Sequence, residues 1–172
     1  MNPAVAFKQR AEGNIIRKSA GYSQKPSGQS TVLIAVSEPE IRKALANMVQ
    51  YHPLNTIWVD SVEDVKSVTV TMRIATFFCG LWLQDGTYRE IVRHLRRERI
   101  DIPIIIVSGP TSPIEYRDYL SAMNIGALDC ICYPFQQSHF EAILESAIVA
   151  NSRGTSIQAE QNDQDFVPSG AV

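Results

Sequence analysis

A short apolar segment, residues 74–79, constrains the fold of this chain more than any other stretch. Its aromatic and apolar composition is typical of a strand that is buried on both faces of a parallel sheet. Gly80 ends the segment, and Gln84-Asp85-Gly86 then predicts a turn that leads into a helix. In an open parallel sheet, reactive groups gather where the carboxyl ends of the strands meet such loops. Here the residue at the strand end is a glycine, which brings no functional group to that edge.

Four further apolar segments have the length of strands, and amphipathic segments separate them. The predicted strands are residues 31–36, 56–59, 74–79, 103–107 and 129–132. The predicted helices begin near residues 38, 61, 87, 116 and 138. Strands that alternate with helices predict a parallel sheet with right-handed crossovers. The predicted fold is therefore a three-layer α/β sandwich, with a five-stranded parallel sheet in the order 2-1-3-4-5.

Composition supports one packed domain with a polar segment at each end. Hydrophobic residues make up 45% of the 172 residues and charged residues 20%, which is enough apolar material for a core. The predicted domain covers residues 31–151. The polar residues 1–30 are predicted to be a flexible tail, and residues 152–172 a disordered tail. The net charge of -2 favours neither nucleic acid nor an acidic membrane surface as a partner. No apolar run approaches the about 20 residues that a membrane span needs.

The cysteine and histidine residues form no pattern that indicates a metal site. The cysteines are odd in number and include no CxxC pair, and they lie in predicted strands. Cysteines in this pattern indicate a reducing, cytoplasmic location. We expect them to serve as small apolar residues of the core. The residues concerned are Cys79, Cys130, Cys132, His52, His94 and His139.

Several segments at the predicted strand ends carry a family resemblance. They are Leu33-Ile34, Glu38-Pro39-Glu40-Ile41-Arg42, Leu83-Gln84-Asp85-Gly86, residues 103–108, Gly126-Ala127-Leu128-Asp129 and Tyr133-Pro134-Phe135. In this order and at this spacing, residues 31–151 resemble the receiver (CheY-like) domain of bacterial response regulators.

The resemblance implies a phosphorylation site whose functional residues are replaced. Family members accept a phosphoryl group on an aspartate after strand three, hold Mg²⁺ with two acids after strand one, and contact the phosphoryl group with Ser or Thr and Lys. The aspartate position falls on Gly80, and the acidic pair falls on Val36 and Ser37. The Ser or Thr position falls on Ser108, and the Lys position falls on Tyr133. Only Ser108 matches. Glycine cannot form an acyl phosphate, and the pair Val36 and Ser37 offers Mg²⁺ no carboxylate.

The resemblance thus implies a degenerate receiver, or pseudo-receiver, that is not an enzyme and binds no metal or cofactor. It would act in phosphorelay signal transduction as a stand-alone module or adaptor, through protein contacts. The expected surface is formed by predicted helix four, strand five and helix five, where a protein partner or a second copy would bind. Its candidate residues are Tyr116, Tyr119, Phe135 and His139. An equally weighted alternative is that these four side chains simply pack on the sheet.

Two other interpretations stay open at this point. The first is a true phosphoacceptor that uses an unusual residue such as Asp85, although turn chemistry alone explains an Asp-Gly pair. The second concerns the basic stripe on predicted helix three, which is formed by Arg89, Arg93, Arg96 and Arg97. An acidic partner or nucleic acid could bind it, but acidic neighbours and the acidic whole chain favour a solvated helix face.

Overall fold

The computed structural model describes the backbone of residues 29–111 and 113–164, and their side chains as far as residue 151. The strands are β1 (Thr31–Ala35), β2 (Asn55–Val59), β3 (Thr76–Gly80), β4 (Trp82–Leu83), β5 (Gly86–Thr87), β6 (Ile104–Ser108) and β7 (Asp129–Cys132). The helices are α1 (Pro39–Val49), α2 (Val62–Thr71), α3 (Tyr88–Arg97), α4 (Tyr116–Asn124) and α5 (Gln137–Gln164).

Five of these strands form one parallel sheet in the order β2-β1-β3-β6-β7. The predicted order 2-1-3-4-5 and the α/β sandwich are therefore confirmed. Strands β4 and β5 were not predicted; each has two residues, and they pair as an antiparallel hairpin between β3 and α3.

The sheet separates two apolar cores, because neighbouring residues of a strand point to opposite faces. Phe77 belongs to the core that also contains residues of α2 and α3, and Phe78 to the core that contains residues of α1 and α5. Both side chains are fully buried. Phe78 stacks on Phe140 of α5 with ring centroids 5.4 Å apart. This burial on both faces explains why the sequences of the strands are continuous apolar runs.

Local signals in the sequence set where the helices begin. Pro39 is the first residue of α1, a position where its missing N–H is not needed. Helix α2 begins after Ser61, whose hydroxyl accepts a hydrogen bond of 3.1 Å from the backbone N–H of Asp64. The side chains of Val62, Val65 and Val68 are buried, as the spacing predicts.

Two sequence predictions need correction. Helix α5 continues to Gln164, so the predicted disordered tail is wrong for residues 152–164. Once a helix is nucleated on the core, adding a residue costs little, and the segment around Gln158 and Ala159 consists of good helix formers. The cysteines are also not all core residues, because Cys132 is exposed and Cys130 is half-buried on the edge strand β7. The predicted tail at residues 1–28 and the last residues, 165–172, lie outside the described part of the chain.

Candidate functional site

The fold brings the five predicted site positions to the carboxyl edge of the sheet. Gly80 pairs with Val107, the neighbour of Ser108, and Ser108 pairs with Cys132, the neighbour of Tyr133. The backbone N–H of Tyr133 donates to the Ser108 carbonyl at 2.9 Å. A Cβ atom at Gly80 would lie 3.7 Å from the Cα of Val36. The five positions therefore lie together at one edge of the sheet.

The side chains that follow β1 offer little to a cation. Val36 is buried and apolar. The hydroxyl of Ser37 donates a hydrogen bond of 2.9 Å to the carbonyl oxygen of Trp82 in the hairpin. Mg²⁺ usually needs one or two carboxylates in addition to neutral oxygen ligands. Val36 and Ser37 supply no carboxylate and are therefore poorly suited to bind it.

Gly80 is not required by the backbone. Its φ lies outside the left-handed region, and a Cβ atom there would meet the Ala35 carbonyl oxygen at 3.4 Å and the Trp82 carbonyl oxygen at 3.6 Å. These are ordinary van der Waals contacts, so a Cβ atom fits. A carboxylate at this position would start next to two carbonyl oxygens, whose partial negative charge opposes its own. Neither the backbone conformation nor the space for a Cβ atom thus demands a glycine at this position.

The first acidic residue after β1 is Glu38, and its carboxylate is turned toward the loop that follows β6. The hydroxyl of Thr111 donates a hydrogen bond to the Glu38 carboxylate. Gly109 permits this approach, since a Cβ atom there would lie 2.6 Å from Glu38 Oε2 and 2.8 Å from Ile41 Cδ1. Glu38 therefore joins the β1–α1 loop to the β6–α4 loop.

Arg42 has a role at this edge that was not predicted from the sequence. Its guanidinium donates to the carbonyl oxygens of Val36 at 2.9 Å and Val59 at 3.3 Å. It also lies 5.4 Å from the ring centroid of Trp58, a cation–π distance. Arg42 thus joins the ends of β1 and β2. The signal for it was an arginine on the first turns of the helix after β1.

Asp85 is engaged by the amino end of α2. Its two carboxylate oxygens accept hydrogen bonds from the backbone N–H groups of Val62 and Glu63. Burial by itself would raise the pKa of the Asp85 carboxyl group, but these bonds and the nearby Lys66 outweigh it and lower that pKa. The carboxylate that could have served as an alternative acceptor is therefore a helix cap.

Among the side chains of residues 29–111 and 113–151, no three His, Cys, Asp or Glu residues are grouped so that they could hold a metal ion. In the same part of the chain, no helix combines the length and the apolar character that crossing a bilayer requires.

The four candidate partner residues divide into two pairs. Phe135 and His139 line a groove of about 260 Å³ beside β7 and the start of α5. Tyr116 and Tyr119 lie on α4, where Tyr116 is 77% exposed and Tyr119 is half-buried. The alternative that all four pack on the sheet is therefore wrong for Tyr116 and for His139, whose side chain is also exposed.

The thiol of Cys130 also lines this groove. Burial, with smaller contributions from Asp129 and Cys132, raises the pKa of Cys130 to about 12. The group is thus a neutral thiol at neutral pH, and a nucleophilic role does not suit it.

Comparison with known proteins agrees with this architecture. No protein-family model matches the chain. The chain is 28% identical over 135 residues to the regulatory protein VirG of Agrobacterium tumefaciens. This match covers 77% of this chain and 49% of VirG. The chain thus spans about half the length of this curated relative.

Solved receiver domains have the same fold. FixJ-N is 27% identical with a TM-score of 0.61, and the match covers 70% of this chain and 94% of FixJ-N. The signal receiver domain of a LuxO repressor protein from Vibrio parahaemolyticus gives a TM-score of 0.68 at 12% identity, over 75% of this chain and 97% of that domain. The fold is therefore that of a receiver domain, as in FixJ-N and in the LuxO signal receiver domain.

Proposed function

We propose that this chain is a pseudo-receiver, a receiver-type domain of two-component signalling that is not phosphorylated and acts by binding another protein. The observation that carries the proposal is the carboxyl edge of the sheet. Gly80 ends β3 without a carboxylate, and the chain after β1 begins with Val36 and Ser37. Phosphoryl transfer depends on positioning and on neutralisation of charge, and these residues supply neither an acceptor nor an anchor for Mg²⁺.

The residues around this edge support the proposal because each has another role. Ser37 is bonded to the hairpin, Glu38 to Thr111, and Asp85 to the start of α2. The position that family members fill with lysine is Tyr133, which is exposed and packs edge-on against Phe135 with centroids 5.8 Å apart. An aromatic side chain there offers a contact surface and no positive charge.

The surface that we assign to the partner consists of α4, β7 and α5. Tyr116 is exposed on α4, and the groove with Phe135 and His139 lies along β7 and α5. Aromatic side chains in such positions often anchor protein interfaces. The partner is another protein or a second copy of this chain. A non-enzymatic role in the cytoplasm fits the regulator relatives and the free Cys79, Cys130 and Cys132.

The proposal is tested by adding Mg²⁺ and beryllofluoride, a phosphoryl mimic, to the labelled full chain and recording amide chemical shifts. We expect no shifts at Gly80, Ser108 or Tyr133, whereas a receiver domain with the aspartate and the acidic pair responds under the same conditions. Incubation with radiolabelled acetyl phosphate should leave the chain unlabelled. Incorporation of label that is lost in Asp85→Ala would instead establish Asp85 as the acceptor and overturn the proposal.

A further inference from the structure

A second cavity, of about 310 Å³, lies at the opposite edge of the sheet, next to the starts of β1 and β2. Its wall combines apolar side chains of Leu54, Leu144 and Ile148 with the carboxylates of Glu141 and Glu145 on α5. This composition suits a ligand with an apolar part and a positively charged part. The functional site at the carboxyl edge makes no use of it.

His52 lines the same cavity and has an unsatisfied polar atom. Its Nε2 is shielded from solvent and has no hydrogen-bond partner among the described residues. Buried polar atoms normally have partners, because leaving one without a bond costs free energy. A backbone carbonyl or another polar group that enters the cavity would supply this partner.

The chain itself enters the fold at the rim of this cavity. Ser30 lines the cavity, and its carbonyl oxygen accepts a hydrogen bond of 3.0 Å from the backbone N–H of Asn55. The preceding residues, 1–28, therefore connect to the fold beside the two carboxylates of α5. They carry five basic residues against one acidic residue: Lys8, Arg10, Arg17, Lys18 and Lys25 against Glu12.

We propose that Ile15-Ile16-Arg17-Lys18 of the same chain docks in this cavity. The two isoleucines match the apolar wall, and the two basic residues match Glu141 and Glu145. The 11 residues 19–29 can span up to about 36 Å when extended, which is ample for a return to the rim. A tether of this length also gives a high effective concentration of the segment, on the order of millimolar.

The test compares amide spectra of the full chain and of the double variant Ile15→Ser/Ile16→Ser. The variant changes no residue of the sheet or of the described helices. We expect chemical-shift changes at Leu54, Glu145 and Ile148 and at the His52 ring, and none at Gly80 or Ser108. Glu141→Gln/Glu145→Gln should produce changes at the same positions and remove their dependence on salt. The matched control is Lys8→Gln/Arg10→Gln, which removes two positive charges outside the docking segment and should leave these signals in place.

Addition of a peptide of residues 12–21 to the Ile15→Ser/Ile16→Ser chain should restore the original shifts. Spectra that are identical in the wild type and in this variant would overturn the proposal. Shifts that depend on protein concentration would also overturn it, because they would show that a second copy fills the cavity. Neither result bears on the phosphoryl site, so this proposal and the proposed function fail separately.

Discussion

The carboxylate of Asp85 accepts a hydrogen bond from the backbone N–H of Val62, 23 residues earlier in the chain. A second bond, of 3.1 Å, comes from the N–H of Glu63. The first turn of a helix has N–H groups without partners inside the helix, and a negative charge is favourable there. Asp85 thus attaches the hairpin of β4 and β5 to the start of α2.

We expect Asp85→Ala to lower the free energy of unfolding by about 1 kcal/mol at pH 7, the usual loss for a helix cap. Urea unfolding of the two proteins measures the difference. Asp85→Asn should lose less, because its amide oxygen can still accept one of the two bonds. Asp101→Ala, which removes an exposed acid elsewhere, is the control and should change stability by less than about 0.5 kcal/mol.

The difference between wild type and Asp85→Ala should depend on pH. The pKa of Asp85 is lowered in the folded protein from its ordinary value of 3.8. The charged carboxylate therefore stabilises the fold above that ordinary pKa, and the stabilisation is lost as the pH falls through the folded-state pKa. Unfolding curves at pH 7 and pH 3 should show a smaller difference at pH 3. A difference that grows on acidification would contradict the capping role.

A carboxylate at Gly80 should destabilise the domain in metal-free buffer. A Cβ atom fits at this position, but the new side chain would be largely buried next to the carbonyl oxygens of Ala35 and Trp82. We expect Gly80→Asp to lower the free energy of unfolding by about 1–3 kcal/mol, as for other buried polar groups without partners. Gly80→Ala keeps the backbone and adds no charge, so its unfolding curve is the reference.

The effect of Mg²⁺ on Gly80→Asp distinguishes a carboxylate that stays unpaired from one that a bound cation neutralises. With Val36 and Ser37 in place of the acidic pair, Mg²⁺ should not restore the stability of Gly80→Asp. Recovery of the wild-type unfolding curve in millimolar Mg²⁺ would contradict the claim that this edge lacks a cation site. An unchanged melting temperature without metal would show instead that the pocket tolerates the charge.

The sequence was sufficient to predict the sheet order, because buried strands and amphipathic helices leave strong periodic signals. It also placed Gly80 and Ser108 at one edge, since parallel strands end together. It did not reveal the roles of Arg42 or Asp85. Their hydrogen-bond partners are backbone groups 6 and 17 residues away for Arg42 and 23 and 22 residues away for Asp85. No periodic pattern of the sequence encodes such contacts. The length of α5 was missed for a different reason, since a polar segment can extend a helix whose core-facing part is already folded.

Replacing Arg42 with lysine should lower the stability of the fold. Its guanidinium bonds to the carbonyls of Val36 and Val59 and lies over the ring of Trp58. Lysine keeps the charge but loses the planar group that makes these contacts together. We expect Arg42→Lys to cost about 1 kcal/mol in urea unfolding. Lys43→Arg on the exposed side of α1 is the matched control. Equal stability of Arg42→Lys and wild type would show that the charge alone suffices.

Tyr116 should matter for association and not for folding. Its side chain is 77% exposed on α4, so Tyr116→Ser should change the free energy of unfolding by less than about 0.5 kcal/mol. An aromatic residue at the centre of an interface commonly contributes about 2 kcal/mol, which corresponds to a roughly 30-fold weaker Kd. Self-association by sedimentation, or binding of a partner isolated from the host, gives the measurement. The matched control is Tyr51→Ser, which removes a 72% exposed tyrosine after α1. Equal effects of the two variants would show that the partner does not bind through α4.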